Sequence, residues 1–128
     1  NNSITERALR EIYLKGFEIA IKMAQPMALM TCYNVNNSMP AADDYDLCTD
    51  LPRGEWGFRG LIMTDWGGGN SCAGGAPAQA GLSWIAPGSM DDSTVTPILE
   101  ALQSGKLDRQ RLRANVRDMF RILIKYVQ

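Results

Sequence analysis

The sequence predicts an α/β fold assembled from parallel βα units. Three short apolar runs, "MALMTCYN", "GLIMTDW" and "LSWIAPG", read as buried strands. Between and around them lie segments in which apolar residues recur every three to four positions, the period of a helix packed on one face. Strands that alternate with helices pair in parallel, because each helix carries the chain back to the same end of the sheet.

Each element has its own signal. "SITERALREIYLKGFEIAIKMAQ" predicts a helix over residues 3–25, with Ser3 and Glu6 at the spacing of a capping box. Its expected inner stripe is Leu9, Tyr13, Gly16, Ala20 and Ala24, and Pro26 stops it. The first strand follows and runs into a polar end at Tyr33-Asn34. "NVNNSMPAADD" is turn-rich and ends in acids that suit a helix start near Asp43 or Asp44, with a short amphipathic helix over residues 44–54. After the second strand, the glycine- and alanine-rich stretch 67–81 predicts a loop with one turn of helix around residues 77–80. A third strand, "LSWIAPG", leads to a helix capped by Thr96, with Pro97 at its first position and Gly105 closing it. Asp108 caps the last helix, whose expected buried stripe is Leu112, Val116, Phe120, Leu123 and Val127. The expectation is about three strands and four to five helices.

A chain of 128 residues suits one modest domain able to bury a core. Its net charge of −1 gives no basic surface for nucleic acid. No apolar run approaches the roughly 20 residues that cross a bilayer, so no membrane partner is expected. Cys32, Cys48 and Cys72 match no zinc or redox spacing, and thiols in a reducing compartment are expected. With no visible leader, this points to a cytoplasmic location. There is no histidine, which removes His-dependent triads and the commonest zinc ligand. No metal and no cofactor are expected, and chemistry falls to carboxylates.

In parallel α/β folds the ends of strands line the site. Two such ends carry polar groups here, Tyr33-Asn34 and Asp65-Trp66. An aromatic ring beside a carboxylate suits a sugar, whose apolar face packs on the ring. Glycoside hydrolysis generally uses two carboxyl groups. The residues alone leave Asp65 either as a helix cap or loop ligand or as a catalytic carboxylate, and favour core burial for Trp66. The remaining acids, Asp43, Asp44, Asp46, Asp50, Asp91 and Asp92, read as caps and solvated positions.

The stretch "LPRGEWGFRGLIMTDWGG" resembles the nucleophile region of glycoside hydrolase family 3. There an arginine and a Glu-Trp-Gly-Phe-x-Gly segment lead through an apolar strand to Ser-Asp-Trp. "RALREIYLKGFEIAIKMAQPMALMTCYNVNN" resembles the preceding helix and strand, with their Met-x-x-Tyr-Asn-x-x-Asn pattern. "AGLSWIAPG" and "ILEALQSGKLDRQRLRANVRDMFRIL" are similar to the closing segments, so the resemblance covers nearly the whole chain in order.

The resemblance implies that residues 1–128 are the C-terminal portion of a (β/α)8 barrel domain. It implies a retaining β-glycosidase, β-glucosidase-like, that works through a covalent glycosyl-aspartate intermediate. Asp65 stands at the nucleophile, Trp66 at the aromatic bordering the sugar, Tyr33 at a tyrosine near both, and Met30 at a pocket-lining position. Thr64 replaces the usual serine and keeps its hydroxyl. A tryptophan after the aspartate is more typical of members acting on β-glucosides or β-xylosides. The family's upstream aspartate, arginine and Lys-His pair, and its acid/base, have no counterpart here. Ser83 takes the place of an acidic residue and Ala86 that of a methionine. The expectation is therefore an inactive or nearly inactive isolated chain, with self-association through exposed barrel edges. The alternative is a truncated, non-catalytic barrel module serving assembly or carbohydrate binding.

Overall fold

The computed structural model describes residues 1–71 and 74–127. Its central feature is a parallel pair, β1 (Ala28–Met30) and β4 (Leu61–Met63), with Ala28 opposite Leu61 and Met30 opposite Met63. The chain is thus α/β with parallel strands, as its alternating pattern predicts. Between the two strands lie a hairpin and a helix. The hairpin joins β2 (Val35–Asn36) to β3 (Met39–Pro40) through Asn37 and Ser38, both at positive φ as a two-residue hairpin turn requires. The helix, Asp46–Glu55, is π-helical and contains Pro52. Asp44 starts it by accepting from the Asp46 and Leu47 N–H groups at 3.0 and 3.2 Å.

The N-terminal helix departs from its expected form. It consists of α1 (Glu6–Ala8), a π-helical stretch Leu9–Tyr13, and α2 (Lys15–Ala24). Thr5, not Ser3, is the cap: its hydroxyl accepts from the Ala8 N–H at 3.2 Å, while Glu6 turns to Arg10. The π turn adds a residue per turn and rotates everything after it. Ile21 is therefore the buried residue of α2, and Tyr13, Gly16, Ala20 and Ala24 are exposed.

Beyond β4 come a 3₁₀ turn, Gly68–Ser71, and the helix α3 (Ala76–Ala80), where one helical turn is expected. The run "LSWIAPG" does not form a third strand. It makes one parallel bridge, Trp84 with Met63, and the Ser83 and Trp84 N–H groups both donate to the Ile62 carbonyl. Pairing stops there because Pro87 has no N–H and the Ala86 N–H is taken by the Thr64 side chain. Helix α4 (Val95–Gln103) has Thr94 rather than Thr96 at its cap position, so Pro97 is its third residue and not its first. Gly105, at positive φ, follows its end.

Helix α5 (Arg109–Val127) begins at Asp108, whose carboxylate accepts from the Gln110 N–H at 2.7 Å. Its buried residues are Asn115 and Asp118. Asn115 donates to the Ala78 carbonyl at 2.7 Å, and Asp118 pairs with Arg53 at 3.0 Å. These two polar anchors set the rotation of α5. Leu112 is half-buried, but Val116, Phe120, Leu123 and Val127 of the expected stripe face outward.

The core lies where the helices meet the parallel pair. Ile21, Cys48, Phe58, Ile62, Ala80 and Leu82 pack together, and a second cluster joins Ala78, Ala101 and Leu107. Cys48 is buried, its thiol donating to the Ala41 carbonyl at 3.3 Å, and Cys32 is exposed; Cys72 lies outside the described residues. Among the described residues no helix is long and apolar enough to cross a membrane.

Candidate active site

The site grows from the register of the parallel pair. With Met30 opposite Met63, Tyr33 and Trp66 each lie three residues past a paired position, at the same end of the sheet. Tyr33 and Trp66 meet: the Tyr33 hydroxyl donates to the Trp66 carbonyl at 2.5 Å. Asp65 stands between strand and loop, half-buried, and its carboxylate accepts from the Trp66 N–H at 2.6 Å. The Tyr33 phenol is raised above its ordinary value of 10.0. Lost hydration is the first cause, followed by the negative charge of Asp65 and a hydrogen bond with it. The ring as a whole is 57% exposed, so it is the hydroxyl tip, held against Asp65 and Trp66, that feels this environment.

Trp66 is 69% exposed, which overturns the expectation of core burial. The reason is local: Thr64, fully buried, takes the inward position, and the chain turns outward immediately after it. Gly67 makes that turn at φ +79°, a region that L side chains adopt at a cost. Gly68 returns an N–H to the Asp65 carbonyl at 2.8 Å.

Of the four expected site residues, Tyr33, Asp65 and Trp66 come together. Met30 is 58% exposed and lines a different space, a cleft of about 660 Å³ between β1, the N-terminal helices and the helix Asp46–Glu55 that also includes Leu29, Thr31 and Cys32. Two residues outside the expected site set belong to this end of the sheet. Trp84, bridged to Met63, adds an exposed indole at the next strand position, where an aromatic at a strand end is a signal of its own. Ala86 is bonded to Thr64 and Gly67, a partnership with no trace in local sequence. Among the described residues no three His, Cys, Asp or Glu side chains could hold a metal ion.

The arginine and glycines upstream have structural work. Arg53 donates to the Gly60 carbonyl at 3.0 Å and lies over the Phe58 ring at 5.6 Å, in addition to its pair with Asp118. A Cβ at Gly60 would meet the Met27 carbonyl oxygen at 2.3 Å, so only glycine lets β4 start this close to β1.

The family model for the glycosyl hydrolase family 3 N terminal domain matches residues 1–122. The chain belongs to glycosyl hydrolase family 3. Beta-glucosidase B of Emericella nidulans is 45% identical over 125 residues, covering 98% of this chain and 15% of that protein. An exo-alpha-(1->6)-L-arabinopyranosidase of Bifidobacterium breve is 38% identical over 122 residues, 95% of this chain and 16% of the relative. Among solved structures, a family 3 β-glucosidase of Bifidobacterium adolescentis superposes with a TM-score of 0.85 at 36% identity, over 96% of this chain and 18% of that one. The β-glucosidase 3B of Thermotoga neapolitana in complex with glucose gives 0.84 at 37% identity, over 95% and 18%. This family 3 chain thus spans about 15% of the length of the curated relatives it matches.

Proposed function

We propose that this chain carries the nucleophile of a retaining β-glycosidase, β-glucosidase-like, that hydrolyses terminal β-linked sugars. The observation that carries the reading is the place of Asp65. It leaves the parallel strand β4 beside an exposed indole and a phenol that meets the Trp66 backbone. This is the strand end at which parallel α/β folds hold their ligands. The ionised Asp65 attacks the anomeric carbon; its new C–O bond forms as the glycosidic C–O bond breaks, and a second carboxyl group protonates the departing oxygen. Water then attacks the same carbon, gives its proton to that second group, and Asp65 departs as carboxylate. Trp66 offers an apolar face to the sugar and Tyr33 borders the glycone, while Met30, expected to line the pocket, faces the separate cleft beside β1.

The second carboxyl group and the glycone-gripping residues are assigned to segments outside these 128 residues, within a (β/α)8 barrel of which this chain is the C-terminal portion. In support, many acids here have structural partners. Glu18 binds Lys15 and Lys22, Glu55 binds Arg10, Asp44 and Asp108 start helices, and Asp118 binds Arg53. Without a general acid the isolated chain loses a contribution of about 10²–10⁴-fold and is inactive or nearly so on unactivated glycosides. A relative acting on an arabinopyranoside, at 38% identity, leaves the choice of sugar open to residues beyond this segment.

The test uses a 2-deoxy-2-fluoro glycoside with an activated leaving group, which needs no acid. A covalent mass shift mapped to Asp65 supports the nucleophile, and a shift mapped to another residue overturns it. The exposed indoles Trp66 and Trp84 also suit a non-catalytic carbohydrate-binding module, and sugar binding without any adduct would favour that second reading.

For the isolated chain we propose a second copy as partner, docked on the open edge of β1. Thr31 donates to Met63 and Met27 accepts from Leu61, so the alternate residues Ala28 and Met30 turn their backbone groups away from β4. No strand pairs on that side among the described residues. The accessible surface of 8195 Å² exceeds the roughly 6,700 Å² of a compact monomer of 14.1 kDa by more than the about 800 Å² each partner gives a standard interface. Ala28→Pro deletes only an outward N–H, so it should spare the fold and abolish association in sedimentation. A wild-type chain that sediments as a monomer, or association untouched by Ala28→Pro, refutes this edge.

A further inference from the structure

We propose that Thr64 is a positioning residue for Asp65, holding the carboxylate in its attacking direction through Ala86; this rests on the reading of Asp65 as nucleophile. Asp65 and Trp66 form a two-residue arch, and both of its feet stand on one residue. At one foot the Thr64 Oγ1 accepts from the Ala86 N–H at 2.8 Å and donates to the Ala86 carbonyl at 3.3 Å. At the other, the Gly67 N–H donates to that same carbonyl at 2.8 Å. Thr64 is also tied through its own N–H to the Trp84 carbonyl at 3.1 Å.

The geometry explains why a hydroxyl is needed. Backbone pairing between β4 and the neighbouring segment ends at the bridge between Met63 and Trp84. One residue later the Thr64 side chain does the work of a ladder bond, supplying both an acceptor and a donor where the partner backbone has one of each. Ala86 is buried, so its N–H has no water to replace Thr64. Inside the arch the Asp65 carboxylate accepts from the Trp66 N–H and the Asp65 carbonyl accepts from the Gly68 N–H. A carboxylate bonded to the backbone of its own arch follows any tilt of that arch. Serine and threonine both satisfy this requirement; valine, the same shape, does not.

Tyr33 reports the arch from outside, because its hydroxyl binds the Trp66 carbonyl and senses the Asp65 charge. The test is an NMR titration of the Tyr33 ring, labelled at Cζ, in the 128-residue chain, together with amide exchange at Trp66 and Gly67. Asp65→Asn sets the value that Tyr33 takes without the charge. Thr64→Val is expected to move Tyr33 toward that value and to speed exchange at both amides roughly five- to tenfold. Thr64→Ser is expected to restore both. A Thr64→Val chain that is merely less stable, with Tyr33 titration and both exchange rates as in wild type, overturns the proposal. If Thr64→Val does not fold, Thr64→Cys, with a thiol of weaker hydrogen bonding, is read by the same criteria. Failure of Asp65 to take the fluoroglycoside label strikes the nucleophile reading alone, since neither readout depends on chemistry at a sugar.

Discussion

Strand β4 has two ends, and they are built on opposite plans. The approach, from Arg53 to Gly60, is closed on itself. Arg53 reaches Asp118, Gly60 and Phe58; Phe58 is buried and its N–H donates to Pro52; Gly60 lies too near Met27 for any side chain. The exit, from Thr64 to Gly68, is anchored at its feet and by the Tyr33 hydroxyl on the Trp66 carbonyl, and it lifts an indole toward solvent beside a half-buried carboxylate. In sequence the two look equally distinctive, as "RGEWGFRG" and "TDWGG". Their difference lies in where they aim their functional groups. The approach turns Arg53 and the Phe58 N–H onto its own chain, and so serves the scaffold. The exit keeps a carboxylate and a ring for something outside.

Four substitutions break or sharpen this contrast. Asp118→Asn takes the partner from a mostly buried Arg53 and should destabilise the chain by about 3–5 kcal/mol in chemical denaturation. Gly60→Ala drives a Cβ into the Met27 carbonyl and should cost about 1–3 kcal/mol, with β1 and β4 forced apart. A melting temperature unchanged in either variant would deny the approach its scaffold role.

At the exit the expected effects are smaller and differ in kind. The folded-state pKa of Tyr33 is raised, so the folded chain holds that proton more tightly than the unfolded one. Stability present below pH 10 is therefore lost as pH rises beyond it, because ionisation charges a hydroxyl that has lost hydration and that lies beside the negative Asp65. Tyr33→Phe should flatten that alkaline slope in melts collected at several pH values. Trp66→Ala should change stability by less than about 0.5 kcal/mol, since the indole is mostly solvated, while weakening any sugar binding measured by calorimetry. A large loss of stability in Trp66→Ala would make the ring structural and erase the contrast.

Much of this was legible in the residues. The two apolar runs became β1 and β4, and their parallel register put Tyr33 and Trp66 at matching offsets. The failures have local physical causes. The apolar stripe of the first helix was displaced by the π turn at Leu9–Tyr13, which a strict helical period does not anticipate. On α5 the apolar stripe lost to two polar residues, because Asn115 and Asp118 found buried partners on α3 and the π-helix Asp46–Glu55. "LSWIAPG" has the composition of a strand, yet its pairing depends on a side chain 22 residues upstream.

The sequence by itself determined the alternation of strand and helix, the family, and the carboxylate at a strand end, because periodicity and a contiguous motif are properties of neighbouring residues. Only the tertiary structure decided which face of each helix is buried, that Trp66 is exposed, and that Thr64 and Gly67 share Ala86 as their foothold. Those outcomes turn on which polar groups find partners far along the chain, and a hydrogen bond between distant residues leaves no mark in the spacing of either.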